Sequence, residues 1–188
     1  MSDLESRLVA IEAELRYLKD RREIEDVVHH HARGHDRFDS EMMTACYTPD
    51  GTDDHGTWAI NKAEDYADWA NRTHDAGSIL SMHNITTHTC EIDGDVAHAE
   101  TYVLGSMLNK DGVTCRFLNG RYVDRLEKTG GTWRIALRRC TVDVVLTGDS
   151  AIMQTELFKR YGMIKGTRDK TDISYSRPLS MDDKVDTW

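Results

Sequence analysis

The chain has 188 residues, and 24 Lys and Arg against 33 Asp and Glu give it a formal net charge of −9 with its nine histidines neutral. This length fits a single domain with one hydrophobic core. The acidic balance argues against a nucleic-acid partner, which needs clustered positive charge, and no apolar stretch approaches the ~18–20 residues of a membrane span. We therefore expect neither nucleic acid nor membrane as a partner.

The N-terminus and the cysteines favour a cytoplasmic location. The first residues are acidic and amphipathic, whereas a signal peptide begins with basic residues and an apolar run. The four cysteines lie far apart and form no C-x-x-C metal or redox motif: Cys46, Cys90, Cys115 and Cys140. We expect them to be small buried side chains in a reducing compartment.

The first part of the chain has the pattern of helices. Apolar residues recur at alternating spacings of four and three, which is typical of an amphipathic helix: Leu4, Leu8, Ile11, Leu15 and Leu18. The pattern continues to Gly34 and predicts one long helix, or two in succession, over residues 3–35. Further helices are predicted over 39–46 and 62–76, with a turn at Pro49-Asp50-Gly51 between them. Because so short an apolar seam needs a partner surface, we expect it to pack on the domain or in a homo-oligomer, either a dimer or a trimer.

After Ser81 the pattern changes from helix to sheet. Segments rich in β-branched residues alternate with turn sequences and predict four strands, over 84–92, 96–108, 113–127 and 132–147. Helices followed by an antiparallel meander predict an α+β fold, with a last short helix over 150–161. We divide the chain into a helical extension (1–20), an α+β domain (21–162) and a polar tail (163–188). The tail is expected to be loosely held or to lie on a neighbouring subunit.

The end of the first predicted helix is rich in histidine. His31 and His35 share a helix face at i, i+4, a spacing that can hold a metal, but no Glu or third ligand follows at a recognisable spacing. We therefore predict no metal site and expect these rings to be solvated or to line the core. Asp36 stands where the helix ends, an unfavourable place for a carboxylate unless another interaction requires it.

Two further positions could carry chemistry. His83 lies between the predicted helices and sheet, where a histidine is either a core filler or a general base, and a base needs one ring nitrogen held by a partner such as an aspartate. On the last long strand, alternation from Trp133 puts Arg138 and Arg139 on opposite faces, so one should point inward. An inward arginine could stabilise an anionic intermediate or a leaving group, or form a salt bridge with Asp143, Asp124 or Glu100.

A series of short motifs across about residues 20–147 resembles the SnoaL-like branch of the nuclear transport factor/cystatin-like superfamily. The motifs are Gly34-His35-Asp36-Arg37-Phe38-Asp39, Tyr47-Thr48-Pro49-Asp50-Gly51, Ser81-Met82-His83-Asn84-Ile85-Thr86, the run from Glu91 to Tyr102, and Trp133-Arg134-Ile135 with Arg138. Relatives include scytalone dehydratase, hexachlorocyclohexane dehydrochlorinase, bile acid 7α-dehydratase, ketosteroid isomerase, polyketide cyclases and the small subunits of aromatic-ring dioxygenases. The resemblance implies a cone in which a strongly curved antiparallel sheet wraps around N-terminal helices and a deep pocket.

The resemblance also implies site residues. The aspartate and histidine that form a dyad in the dehydratase and dehydrochlorinase members match Asp36 and His83, and the family arginine matches Arg138. A pocket tyrosine five residues before the aspartate is replaced by His31, which we interpret as a group that titrates. The remaining expected substrate-binding residues, which could protonate a departing oxygen or polarise a carbonyl, are Tyr47, Trp58 and Tyr102.

The implied function is a cofactor-independent lyase that eliminates water or halide from a small hydrophobic, ring-bearing substrate, with His83 as the base. Two alternatives remain open. An isomerase or cyclase would use the same proton abstraction, and a non-catalytic ligand-binding or assembly module would resemble the dioxygenase small subunits.

Overall fold

The computed structural model describes residues 2–188. Its four α-helices are α1 (Asp3–Asp36), α2 (Ser40–Ala45), α3 (Ala63–Gly77) and α4 (Glu156–Arg160). Among residues 2–188, no helix combines the length and the apolar composition that crossing a membrane requires.

Helix α1 is a single long helix rather than two. It begins with a capping box in which the Ser2 side chain accepts from the amide of Glu5 and the Glu5 carboxylate accepts from the amide of Ser2. The first buried side chain is Asp20, and the predicted apolar seam is at least half exposed at all five positions. The N-terminal half of α1 therefore leaves its seam uncovered by the rest of the chain.

Helix α2 crosses α1 closely because Gly34 has no side chain. A Cβ atom at Gly34 would lie 2.8 Å from Cγ of Met43. Asp39 caps α2 by accepting from the amide of Met42 at 3.2 Å. These contacts fix the C-terminal end of α1, where Asp36 lies.

The main sheet has six strands in the order β2-β1-β6-β5-β4-β3. The strands are β1 (Tyr47–Asp54), β2 (Ile60–Lys62), β3 (Ser78–Asp93), β4 (Val96–Asn109), β5 (Thr114–Thr129) and β6 (Thr132–Asp149). The four predicted strands are present as consecutive antiparallel hairpins β3 to β6. Register shifts within β3–β4 and β5–β6, including one at Gly120, help to curve the sheet.

The turn predicted at Pro49-Asp50-Gly51 is wrong as a chain reversal, because these residues lie inside β1. This strand runs parallel to β6, and its pairing shifts between Tyr47 and Thr52. A bulge of this kind accommodates Pro49, which has no amide hydrogen for the ladder. Strands β1 and β2 were not predicted from the sequence.

Helices α1 and α3 pack into the concave side of the sheet. Ile24, Tyr66, Leu126, Trp133 and Ile135 are at most 2% exposed and belong to one core cluster. This cluster fills one end of the cone, while the other ends of β4, β5 and β6 surround a cavity. The fold is therefore a cystatin-like α+β cone, as the resemblance implied.

The C-terminal tail packs on its own domain, contrary to the expectation that it is loosely held or lies on a neighbour. It contains a two-stranded ladder of β7 (Ile164–Lys165) and β8 (Asp186–Thr187). Asp172 is 3% exposed and lies 3.1 Å from Nε of Arg37. Tyr175 donates to Asp39 at 2.8 Å, and Arg168 donates to the carbonyl of Ser78 at 2.8 Å. Specific polar contacts thus tie the tail to the end of α1 and the start of β3.

Candidate active site

Asp36 and His83 meet across the junction of α1 and β3. Nδ1 of His83 lies 2.7 Å from Oδ1 of Asp36, and the backbone amide of His83 also donates to this carboxylate, at 3.1 and 2.9 Å to its two oxygens. Since an ionised carboxylate only accepts, Nδ1 carries the hydrogen and Nε2 is left as an acceptor. The two N–H donors also explain how a carboxylate is tolerated at the C-terminal end of a helix.

His83 lines a cavity of ≈ 310 Å³ at the open end of the sheet. This volume lies at the lower end of the range of small-molecule sites, roughly 300–1,000 Å³. The apolar lining of the cavity includes Val103, Met107, Leu118, Val142, Cys140 and Trp58. The polar and charged lining includes His55, His74, Asn119, Tyr122, Arg116 and Arg121. A small, largely apolar molecule would fit beside His83.

Two more imidazole rings surround His83. The ring centroid of His35 lies 4.5 Å from that of His83 and 4.4 Å from that of His74, and His74 and His83 are 5.5 Å apart. Burial lowers the pKa of His35 well below 6.5 and that of His74 to about 3. Both flanking rings are therefore neutral at pH 7.

Arg138 is the inward-pointing arginine, and it is completely buried. Its Nε and Nη2 donate to the two oxygens of Asp124, at 2.8 and 2.6 Å. Asp124 is one of the three alternative salt-bridge partners expected from the sequence for an inward arginine. Arg139 is exposed and pairs with Asp54 at 3.1 Å. Arg138 is not among the residues that line the cavity.

Arg138 begins a buried chain of hydrogen bonds. Its Nη1 lies 2.9 Å from Nδ1 of His31. An arginine can only donate, so Nδ1 of His31 is unprotonated and Nε2 carries the hydrogen. Nε2 of His31 then donates to the hydroxyl of Tyr47 at 3.0 Å, and this hydroxyl donates to Oδ2 of Asp53 at 2.6 Å.

The chain ends at His55, which lines the cavity. Nδ1 of His55 lies 2.7 Å from Oδ1 of Asp53, an ion-pair distance with an angle outside hydrogen-bond geometry. Arg138, His31 and Tyr47 were expected to contact a substrate. The structure instead places them behind a second histidine–aspartate pair.

His31 does not have the titrating character that the sequence suggested. It is completely buried, and burial together with the nearby Arg138 lowers the pKa of His31 well below 6.5. This ring is a fixed neutral link between its two hydrogen-bond partners.

The two remaining predicted substrate contacts lie in different places. Trp58 lines the cavity and is 67% exposed, so it lies at the edge of the cavity. Tyr102 is 46% exposed and lies on the outer face of β4, since its neighbours Thr101 and Val103 point inward and are buried. Tyr102 is thus not brought together with the other predicted site residues.

Sequence reasoning did not single out His55, His74 or Asn119, which line the cavity. His55 lies two residues after the buried Asp53 and beyond the turn predicted at residues 49–51, and His74 lies in the last turn of α3. Asn119 has a buried Oδ1 without a hydrogen-bond partner among residues 2–188, so this atom is free to accept from a ligand. Only the T-D-D-H run after Gly51, interpreted as alternating strand residues, could have pointed to His55.

A curved six-stranded antiparallel and parallel sheet, lined by helices and open to a cavity at one end, is the architecture of a cystatin-like α+β protein. The chain belongs to the SnoaL-like domain family, whose family model matches residues 16–139. A comparison with curated protein sequences finds no match.

Solved structures with the same fold cover most of the domain. A putative scytalone dehydratase from Novosphingobium aromaticivorans is 16% identical with a TM-score of 0.63, covering 69% of this chain and 88% of its own. A hexachlorocyclohexane dehydrochlorinase from Novosphingobium barchaimii is 17% identical with a TM-score of 0.67, covering 72% and 94%. A protein of unknown function with a cystatin-like fold from Nostoc punctiforme is 23% identical with a TM-score of 0.57, covering 66% and 91%. At these identities the likeness shows the shared fold.

Proposed function

We propose that this protein is a cofactor-independent lyase of the dehydratase type, acting on a small hydrophobic, ring-bearing substrate. The observation that carries the proposal is the free Nε2 of His83, whose Nδ1 is held by Asp36 at 2.7 Å beside a partly apolar cavity. The open cavity argues against a purely structural role, which would leave the cone filled.

His83 is the proposed base. Its Nε2 removes a proton from carbon, the electrons of that C–H bond form the new double bond, and a group on the adjacent or vinylogous carbon leaves with its bonding electrons. The Asp36 carboxylate stabilises the imidazolium that forms and keeps the ring in place. The neutral rings of His35 and His74 add no positive charge that would oppose this protonation.

His55 is the proposed acid for an oxygen leaving group. It lines the same cavity as His83, and its Nδ1 lies 2.7 Å from Oδ1 of Asp53. In its imidazolium form, His55 gives the proton on Nε2 to the departing oxygen. Arg138, His31 and Tyr47 act through Asp53 as positioning residues. Trp58 and Asn119 supply contacts at the edge and wall of the cavity, while Tyr102 is too far around the sheet to take part.

Isomerisation is the second candidate. Two histidine–aspartate pairs face one cavity, so one pair could remove a proton and the other return it at a different carbon, without a leaving group. The mass of the product separates the two reactions, because elimination loses water or hydrogen halide and isomerisation loses nothing. A cytoplasmic location and a dimeric or trimeric assembly stay predictions from the sequence.

The proposal is tested by screening hydroxylated and halogenated ring compounds for loss of water or halide. We expect His83→Ala to lower turnover by about 10²–10⁴-fold, since general base catalysis contributes this much. Asp36→Asn should give a similar loss with unchanged circular dichroism, while the surface change Asp26→Asn on the same helix leaves turnover intact. Turnover at the parental rate in both site variants would remove the dyad from the mechanism.

A further inference from the structure

We infer that His35, His74 and His83 form a binding site for a divalent transition-metal ion such as Zn²⁺. The three residues come from α1, α3 and β3, and one ring nitrogen from each lies within 4.8 Å of the other two. This inference departs from the expectation of no metal, which considered His31 as the partner of His35. His31 is unsuitable because both of its ring nitrogens are engaged, by Arg138 and by Tyr47.

The first argument is that two buried ring nitrogens in this cluster lack partners. Nδ1 of His35 and Nδ1 of His74 are buried and have no hydrogen-bond partner among residues 2–188. Buried polar atoms in folded proteins are nearly always satisfied by protein, water or an ion. A metal ion bound by His35 and His74 would give the free nitrogen of His35 a partner and would make His74 a ligand of the same ion.

The second argument is the support behind the rings. Nδ1 of His83 is held by the Asp36 carboxylate at 2.7 Å, and Nε2 of His35 is 2.9 Å from the hydroxyl of Tyr66. Metal-ligating histidines usually bond through their second nitrogen to a carboxylate or another polar group, which orients the ring and raises its basicity. In both residues the other nitrogen, Nε2 of His83 and Nδ1 of His35, is left for the ion.

The third argument concerns protonation and access. A metal needs neutral imidazoles, and burial keeps His35 and His74 neutral at pH 7. His74 and His83 line the cavity, so an ion can enter from it, and a water or ligand can take the fourth position. Three imidazole donors without a carboxylate ligand suit zinc, nickel, copper or iron rather than magnesium or calcium.

The distances require a small closure. Zinc–nitrogen bonds of about 2.0–2.1 Å in a tetrahedron place the ligand nitrogens about 3.4 Å apart. Since the three nitrogens lie within 4.8 Å of one another, no separation has to shrink by more than about 1.4 Å. Because Asp36 holds the ring of His83, most of this adjustment falls to the side chain of His74, which borders the cavity.

A second cluster, formed by Asp53, His55 and Cys140, provides an internal control. It is the weaker candidate because it offers one imidazole instead of three and because Oδ2 of Asp53 already accepts from Tyr47, although Oδ1 of Asp53 and Nδ1 of His55 lack hydrogen-bond partners among residues 2–188.

The test is titration of the full chain, stripped with chelator, with Zn²⁺ by calorimetry and with Co²⁺ by visible absorption. We expect one ion per chain and the intense absorption of tetrahedral Co²⁺. His74→Ala should weaken binding by about 100-fold or more and remove this absorption, and Asp36→Asn should weaken binding by about 10–100-fold. Cys140→Ser and the exposed His98→Ala should bind as the parent does. Absence of binding, equal binding by His74→Ala and the parent, or loss in Cys140→Ser instead of His74→Ala would each overturn the inference.

One consequence rests on the proposed function. An ion on Nε2 of His83 occupies the atom that removes the substrate proton, so Zn²⁺ should inhibit turnover by the parent at concentrations that saturate the calorimetric site. The two proposals fail separately. Zinc binding without turnover of any compound would refute the lyase proposal alone. Turnover without zinc binding would refute the metal site alone.

Discussion

Arg138 donates a hydrogen bond to Nδ1 of His31 at 2.9 Å, in a part of the core where both side chains are completely buried. Because the guanidinium has no acceptor, this single contact fixes the ring tautomer of His31 and, through it, the direction of each hydrogen bond as far as Asp53. The positive charge itself is balanced by the bidentate contact with Asp124.

Replacing only one partner of the Arg138–Asp124 pair should destabilise the protein. We expect Arg138→Met to lower the free energy of unfolding by about 3–5 kcal/mol, because a buried carboxylate would lose its partner. The double variant Arg138→Met/Asp124→Leu should recover much of this loss. Urea unfolding checks both values, and Arg139→Met, at an exposed pair, should change stability by less than about 1 kcal/mol. A loss at Arg138 no larger than that at Arg139 would contradict the buried-pair interpretation.

Tyr47→Phe should interrupt the buried chain without removing the ring. His31 would lose its acceptor and Asp53 its donor. Each buried group left without a hydrogen-bond partner lowers the free energy of unfolding by about 1–3 kcal/mol. We also expect turnover to fall, because the Asp53 carboxylate, which lies 2.7 Å from Nδ1 of His55, would lose the hydrogen bond that positions it. Tyr122→Phe is the matched control, since the Tyr122 ring packs over Arg138 at 3.9 Å and the substitution keeps that ring. Similar unfolding curves for the two variants would exclude the role of the Tyr47 hydroxyl.

Asp39 should hold the C-terminal tail in a pH-dependent way. Burial raises the pKa of its carboxyl, but hydrogen bonds from Lys170 and Tyr175 outweigh this, and the net pKa is below 3.8. The stabilisation is thus present above pH 3.8 and is lost as the pH falls through the lower folded value. We expect residues 163–188 to resist proteolysis at pH 7 and to become accessible to an acid-active protease as the pH falls below 3.8 and the Asp39 carboxyl takes up its proton.

Asp39→Asn separates this contact from helix capping, because asparagine is an equally good N-cap for α2. The variant should expose the tail to proteolysis already at pH 7. Asp75→Asn, which removes an exposed pair with Lys110, should digest like the parent. Equal resistance of Asp39→Asn and the parent would show that other tail contacts suffice.

The exposed seam of α1 should mediate self-association. We expect Leu8→Gln/Leu15→Gln to reduce the mass measured by light scattering from that of a dimer or trimer to that of one chain, because these leucines are 50% and 65% exposed. Ala10→Gln/Ala13→Gln, on the other side of the helix, should leave the mass unchanged. A monomeric parent chain would refute the prediction.

Local patterns were enough to predict much of the fold but not all of the site. Alternation and turn residues specify β3 to β6, because hairpins pair neighbouring segments. Strand β1 escaped prediction because Pro49 and Gly51 indicate a turn, while its pairing with β6 brings together residues far apart in the chain. Composition likewise suggested a loose tail, since the polar groups that receive Arg168 and Lys170 lie far away in sequence.

In the candidate site, too, the features that depend on contacts between distant residues could not be predicted from local sequence patterns. Asp36 and His83, 47 residues apart, were paired through the family resemblance rather than through any spacing rule. Neither His55 nor His74 stands in a motif, and their proximity to the cavity depends on where β1 and α3 place them. The burial that makes His31 and His35 neutral is a tertiary property that no local pattern contains.

The buried chain from Arg138 to Asp53 also bears on how this protein can change through evolution or engineering. Each member orients the next. A substitution at position 31 or 47 therefore leaves the neighbouring buried groups without hydrogen-bond partners unless they change too. Substitutions at positions 31, 47, 53, 124 and 138 should therefore be inherited as a set. A designer who wishes to reshape the cavity around His55 would have to preserve residues that never meet the ligand.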